Sequence, residues 1–380
     1  MAQAPSKYAK EVGGYKDRFW YPRIWNGMNI STNAKMLVRN KFWIAPSRWC
    51  MALINCGCSV FNSTLSAVQG VTVGGKIRRT EIERPPVFII GHWRSGTTFL
   101  HELFVKDPRN AFPDCYACFS PYHFVTTEGI VTRLVYLPSK RPMDNMEMRW
   151  DSPQEDEFAL CNLGQPSPYI NMAFPNNTRK DIDYLSLKNV SPAARESWKK
   201  SLHWFMQCLT YKSDGKRLVL KSPTHTARVG ILKELYPNAK FVHIHRDPLT
   251  LFPSTVNLWQ RLSVDNGFQH PVKEWDDYVF QLFDIMYESF WEDSADLPEN
   301  QFANISFKEL TGNPVETMER LYNQLELGDF EPARQELVPY CEAKKSHKKN
   351  KYEIDTQLQQ RILEHPVWKS YMEKYGYLPE

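Results

Sequence analysis

The sequence predicts an α/β fold: a three-layer, P-loop-like architecture with a central parallel sheet flanked by helices, a helical N-terminal extension and a helical insertion. Three observations support it. Short apolar runs recur at 87–90, 217–223, 239–248 and 300–307, and stretches at helical spacing separate them. Strand alternating with helix implies a parallel sheet with crossover helices. The first run leads directly into a glycine-bracketed polar loop and then a helix, which is how a chain builds a phosphate cradle.

Val87–Ile90 is a continuous β-branched and aromatic run of the kind buried on both faces of a parallel sheet. The helix behind it starts near Gly96 and sets Phe99, Leu100, Leu103 and Phe104 on one side. "THTARVGILKELYP" follows the second run with helical spacing and stops before Pro237. "LTLFPSTVNLWQRL" follows the third, and Pro253 predicts a kink or a delayed start there. A helix from about Val315 to Leu327 follows the fourth. Residues 1–84 read as an aromatic-rich start, then helix, closed by the polar "GGKIRRTEIERPP". The expected main domain is 85–380, with 105–216 as an insertion on the acceptor side.

The 380 residues are 42% apolar and 24% charged, ordinary for a globular protein long enough to bury a full core. A net charge of +4 is small for this length and does not argue for nucleic acid, which is not an expected partner. The eight cysteines have no framework spacing: Cys115 and Cys118 form one CxxC with no second pair at zinc-finger distance. That pattern, and an N-terminus without a secretory apolar core, predicts a cytoplasmic chain. Residues 49–75 contain no charged side chain. Asn55, Asn62, Gln69 and repeated Ser/Thr make them a poor spanning helix, which wants about 20 predominantly apolar residues. Two readings stand: a buried or half-buried helix, or an interfacial helix resting on a membrane behind Arg39, Lys41 and Arg48.

Gly91 and Gly96 have GxxxxG spacing, so backbone N–H groups and the helix start can face a phosphate. A nucleoside-triphosphate site wants Lys after the second glycine, but Thr97 stands there, and the cation, Arg94, lies inside the loop. A guanidinium there can fork onto phosphate or sulfate oxygens. No Walker-type acidic strand follows to complete a magnesium site, and no metal is expected. A second cluster, "HIHRDPLTLFPS", ends a strand at Arg246 and places Ser254 eight residues on, where both could meet one anion.

With both clusters the chain resembles the sulfotransferases that use 3′-phosphoadenosine 5′-phosphosulfate. That family's loop of the form [KR]SGTT matches Arg94, Ser95, Gly96, Thr97 and Thr98, and its Arg-to-Ser signature matches Arg246 and Ser254. The resemblance implies that the first set holds the 5′-phosphosulfate, the second the 3′-phosphate, and that Phe99 stacks on adenine. The arginine in the loop and "SPQEDEFAL" are most similar to a bacterial branch, and "SFKELTGNP" (306–314) is similar to a late strand end of the family. The basic run 344–352 is either a solvated loop or the family's basic segment over the 3′-phosphate, through Lys348 and Lys349.

Sulfuryl transfer needs a base for the acceptor hydroxyl and cations for the sulfuryl and leaving oxygens. Arg94 is the first candidate cation, and Lys221, at the carboxyl end of the second strand, is the next. For the base, His225, Glu155 and Glu157 stay open. Ser152, Pro153 and Glu155 also read as a helix start, with Ser152 as N-cap and Glu155 completing a capping box. The acceptor is a hydroxyl on a carbohydrate, lipid, small alcohol or phenol. The alternatives are a P-loop small-molecule kinase, or a non-catalytic membrane-associated scaffold with the same fold.

Overall fold

In a computed structural model the structure describes residues 21–135, 137, 149–177, 180–271, 274–343 and 354–378. Five parallel strands form one sheet in the order β2-β3-β1-β4-β5. They are β1 (Val87–Ile90), β2 (Asn110–Ala111), β3 (Arg217–Lys221), β4 (Lys240–His245) and β5 (Phe302–Ser306). Four match the apolar runs. The two-residue β2 has no legible pattern and exists through its register on β3, Ala111 facing Leu218.

Alternation along β1 divides the core. Phe88 and Ile90 join one buried cluster, and Val87 and Ile89 join the other. Both faces are therefore covered by helices, as a parallel sheet requires. Beneath Val87 and Ile89 pack α4 (Thr97–Phe104) and, late in the chain, α12 (Phe307–Gly312), α13 (Pro314–Gln324) and α14 (Glu331–Ala343). The other face carries α8 (Pro192–Lys212), α9 (Val229–Leu235), α10 (Pro248–Asn266), α11 (Asp276–Ser294), α15 (Thr356–Glu364) and α16 (Pro366–Tyr375).

The N-terminal helices are α1 (Ile30–Arg39), α2 (Trp49–Thr72) and α3 (Gly74–Arg78). They share the larger core: Trp25, Met28, Met36 and Met51 are buried in the same cluster as Phe88. Trp25 also donates its indole N–H to the Asn266 carbonyl at 2.8 Å. The insertion between β1 and β3 contributes α5 (Cys115–Phe119), α6 (Phe124–Leu134) and α7 (Asp156–Asn162) besides α8.

Three local expectations change. Helix α10 starts at Pro248 and continues through Pro253 to Asn266, so its start is not delayed. The stretch after β3 is a 3₁₀ turn, Pro223–Arg228, before α9. Helix α7 begins at Asp156, with Glu155 as the N-cap residue and no side-chain cap bond. The capping box is therefore not formed: Ser152 Oγ accepts from the Arg149 N–H at 3.0 Å instead. Pro153 is held in a bridge to Asp114, which fixes the chain as extended and postpones the helix. All eight cysteines are free thiols.

Candidate active site

Register brings the carboxyl ends of three strands level. Ile89 pairs with Lys221 on one side of β1, and Ile90 with His243 on the other. The loop 91–96, Lys221 and Arg246 thus share one sheet edge, where ligands bind in open α/β folds.

The loop is fitted closely. A Cβ on Gly91, whose φ is 144°, would come within 2.4 Å of the Ile244 carbonyl oxygen. At Gly96, with φ 110°, it would come within 2.4 Å of the Phe307 ring. Both conformations favour glycine. Arg94 is also left-handed, at φ 68°, which turns its side chain off the strand line. Its Nε donates to Ser254 Oγ at 3.0 Å. Trp93 is buried and donates its indole N–H to the Tyr169 hydroxyl at 2.8 Å. Burial pushes His92 down to about 3, so it is uncharged at neutral pH. Ser95 is buried, and among the described residues its hydroxyl has no hydrogen-bond partner. The first N–H groups of α4 have no intrahelical acceptor either. A buried hydroxyl and a helix start facing one cradle suit an anion's oxygens.

The second cluster interlocks with the first. The Arg246 guanidinium donates to the Arg94 carbonyl at 3.1 Å and lies over the Phe307 ring, 4.4 Å from its centre. Its backbone is clamped from the C-terminal helix: the Arg246 N–H donates to Tyr371 Oη at 3.0 Å, and that hydroxyl donates to the Arg246 carbonyl at 3.1 Å. Asp247 caps α10, which orients Ser254 and Thr255; Thr255 Oγ1 donates to the Trp93 carbonyl at 3.2 Å.

Three consecutive acids at the start of α7 meet three bases at and after the end of β3. Lys221 Nζ donates to Glu155 Oε1 at 2.6 Å, with side chains 2% and 12% exposed respectively. The Tyr169 hydroxyl donates to Glu155 Oε2 at 2.5 Å. His225 Nε2 lies 2.6 Å from Asp156 Oδ2, and Ser222 donates to Asp156 Oδ1 at 2.8 Å. Arg228 forks onto both oxygens of Glu157 at 2.5 and 3.1 Å, joined by the hydroxyls of Ser167 and Thr224. Asp156, Glu157 and His225 are fully buried. Burial alone would raise both carboxyls; Arg228 with the Ser167 hydroxyl for Glu157, and His225 with the Ser222 hydroxyl for Asp156, together hold each below its ordinary range.

Of the residues named from sequence, the fold brings together Arg94, Ser95, Gly96, Thr97, Arg246, Ser254, Lys221 and Glu155. Thr98 and Phe99 are half-buried on the first turn of α4. Glu157 and His225 lie beneath the site, already hydrogen-bonded. Lys348 and Lys349 lie outside the described residues. Tyr169, Phe307 and Tyr371 were not foreseen as neighbours of the site. Only Phe307 had a sequence signal, within "SFKELTGNP"; the tyrosines arrive from segments without any motif. A cavity of about 50 Å³ lies apart from the loop, between α1 and residues 161–181. Its wall includes Cys161 and Ile170, on the segment that presents Ser167 and Tyr169.

The chain belongs to the sulfotransferase family, whose model matches residues 85–332, and it is a sulfotransferase. Among curated proteins it is similar to omega-hydroxy-beta-dihydromenaquinone-9 sulfotransferase Stf3 of Mycobacterium bovis and of Mycobacterium tuberculosis. Each is 38% identical over 362 residues, 95% of this chain and 92% of the relative. Among solved structures, sulfotransferase STF9 from Mycobacterium avium superposes with a TM-score of 0.63 at 16% identity, covering 92% of this chain and 96% of that one. Sulfotransferase STF1 from Mycobacterium tuberculosis gives 0.63 at 17% identity, covering 91% and 90%. At such identities the two structures speak for the fold alone.

Proposed function

We propose that the chain transfers the sulfuryl group of 3′-phosphoadenosine 5′-phosphosulfate to a hydroxyl on an apolar lipid alcohol, with Glu155 as the general base. The observation that carries this reading is the Glu155–Lys221 ion pair at the edge of the phosphate loop. Loop 91–98 suits the 5′-phosphosulfate, with Ser95 supplying an otherwise unpartnered hydroxyl. Arg246 and the Ser254 segment suit the 3′-phosphate, and Phe99 the adenine. The lipid acceptor is supported by Stf3, an omega-hydroxy-beta-dihydromenaquinone-9 sulfotransferase whose likeness runs over 95% of this chain.

The acceptor hydroxyl gives its proton to the Glu155 carboxylate, and its oxygen attacks sulfur in line. The bond from sulfur to the bridging phosphate oxygen breaks, and adenosine 3′,5′-bisphosphate leaves. Arg94 and Lys221 offset the charge on the sulfuryl and departing oxygens. Lys221 and Tyr169 also hold the base: one supplies a countercharge, the other fixes the second carboxylate oxygen. Glu157 and His225 anchor the start of α7 from below.

Turnover of labelled donor with a long-chain or isoprenoid alcohol tests this. Glu155→Gln should lower kcat by about 10²- to 10⁴-fold, the usual contribution of a positioned base, with donor affinity nearly unchanged. Near-normal turnover in that variant would remove Glu155 from the role.

A further inference from the structure

Helix α2 is amphipathic the wrong way round for a protein surface. Its inward side carries Asn55, Ser59, Asn62 and Gln69, all buried. Asn55 donates to Asn33 at 2.6 Å, and Asn62 donates to the carbonyls of Asn26 and Met28 at 2.6 and 3.0 Å. Its outward side carries Trp49, Leu53, Val60, Val68 and Val71, each at least 47% exposed. Gly57 and Thr64 complete that stripe, in steps of three and four that follow one face of an α-helix. Among the described residues nothing packs over it: a Cβ built on Gly57 or Gly70 would meet no atom within 4 Å. Phe61, beside the stripe, is 53% exposed.

The approach to the helix repeats the theme. Lys41 and Phe42 are consecutive non-glycine residues in the left-handed region, at φ 55° and 52°. Such residues are strained and persist where the surroundings impose them. Here they leave Phe42 and Trp43 56% and 60% exposed. The charge pattern is one-sided: every charged residue from Ile30 to Thr80 is a lysine or arginine. Lys41 and Arg48 stand before α2, and Lys76, Arg78 and Arg79 after it.

We propose that the outward face of α2, with Phe42 and Trp43 at its entry, docks on an anionic lipid bilayer and lies in the plane of the headgroups. An apolar stripe with cationic ends fits that surface, where buried apolar area and attraction to anionic lipid act together. By length and composition α2 could cross a membrane. Its polar side, however, packs against α1, α6 and the 24–27 turn, with Asn55, Asn62 and Ser63 hydrogen-bonded to that neighbourhood, so the helix rests on the protein's flank. A second copy is a poorer occupant, because antiparallel pairing of two such helices would bring their cationic ends together. The inference is independent of the acceptor's identity.

Flotation of the full chain with vesicles of phosphatidylcholine, alone or with roughly 30% phosphatidylglycerol, tests it. The wild type should float with the anionic vesicles. The combined variant Val60→Asp, Val68→Asp and Val71→Asp should bind them at least tenfold more weakly, with its melting point and its binding of adenosine 3′,5′-bisphosphate unchanged. Lys41→Glu with Lys76→Glu and Arg79→Glu, which leaves the apolar stripe intact, should weaken binding by roughly tenfold or more. The proposal is overturned if the aspartate variant floats like wild type. It is equally overturned if wild type ignores vesicles and forms a dimer that the aspartate variant dissociates, which would make a second copy the occupant. Failure of wild type to bind the bisphosphate would count against the donor reading and leave this one standing.

Discussion

At the scale of single residues, Arg246 has the most separable job. Its guanidinium is placed by the Arg94 carbonyl on one side and the Phe307 ring on the other. Arg246→Ala should weaken binding of adenosine 3′,5′-bisphosphate by roughly tenfold to a hundredfold, the worth of a charge-assisted hydrogen bond or two. Binding of adenosine 5′-phosphosulfate, which lacks the 3′-phosphate, should change little; calorimetry with both ligands checks this, and equal losses would contradict it. Arg94, Arg246 and Ser254 were legible because short spacings fix their geometry: a loop between two glycines, and an arginine a few residues before a helix serine. Tyr169 and Tyr371 were not, because each reaches the site across a long sequence separation that no local pattern encodes. Glu155 was named, but for a capping role as much as for chemistry. What distinguishes it from Glu157 is the partner each meets across the fold, Lys221 for one and Arg228 for the other.

Among elements, α16 and the buried Asp156–Glu157 pair on the first turn of α7 act on the site without supplying its chemistry. Tyr371 on α16 bridges the N–H and carbonyl of Arg246. Tyr371→Phe should raise the donor KM about three- to tenfold, in line with one net hydrogen bond, and leave kcat within twofold. A purely structural role would lower the melting point without that split. The start of α7 rests on buried ion pairs. Arg228 forks onto Glu157, and Glu157→Gln leaves it without its countercharge, which should cost about 3–5 kcal/mol in denaturant unfolding. The pH dependence has a definite sign. Glu157 and Asp156 are held below their ordinary values of 4.5 and 3.8, so the unfolded chain takes up protons first as acid is added. Their stabilisation is complete above about pH 4.5 and is lost as pH falls through the folded values; Glu157→Gln should flatten that acid limb. Strands β1, β3 and β4 were legible as elements because parallel strands buried on both faces are near-continuous apolar runs; the two-residue β2 was not. The delayed start of α7 was not, since the Asp114–Pro153 bridge that imposes it comes from outside the segment.

For the whole molecule, strand order decides the site: β1 lies between β3 and β4, so the loop 91–96, Lys221 and Arg246 reach one edge from three neighbouring strands. The alternation of runs was enough to predict a parallel sheet, but its order was not readable, because which strands pair depends on crossovers the sequence does not count. The first 84 residues read as an extension, yet Trp25 and Met36 complete the same core as the sheet. On the proposed reading, this edge grips both ends of one doubly phosphorylated adenosine. Calorimetric titration of the chain with adenosine 3′,5′-bisphosphate, set beside ATP with magnesium, tests it most directly. Saturable heat is expected with the bisphosphate and much weaker binding of ATP; ATP binding at concentrations where the bisphosphate gives no heat would overturn the two-pocket reading.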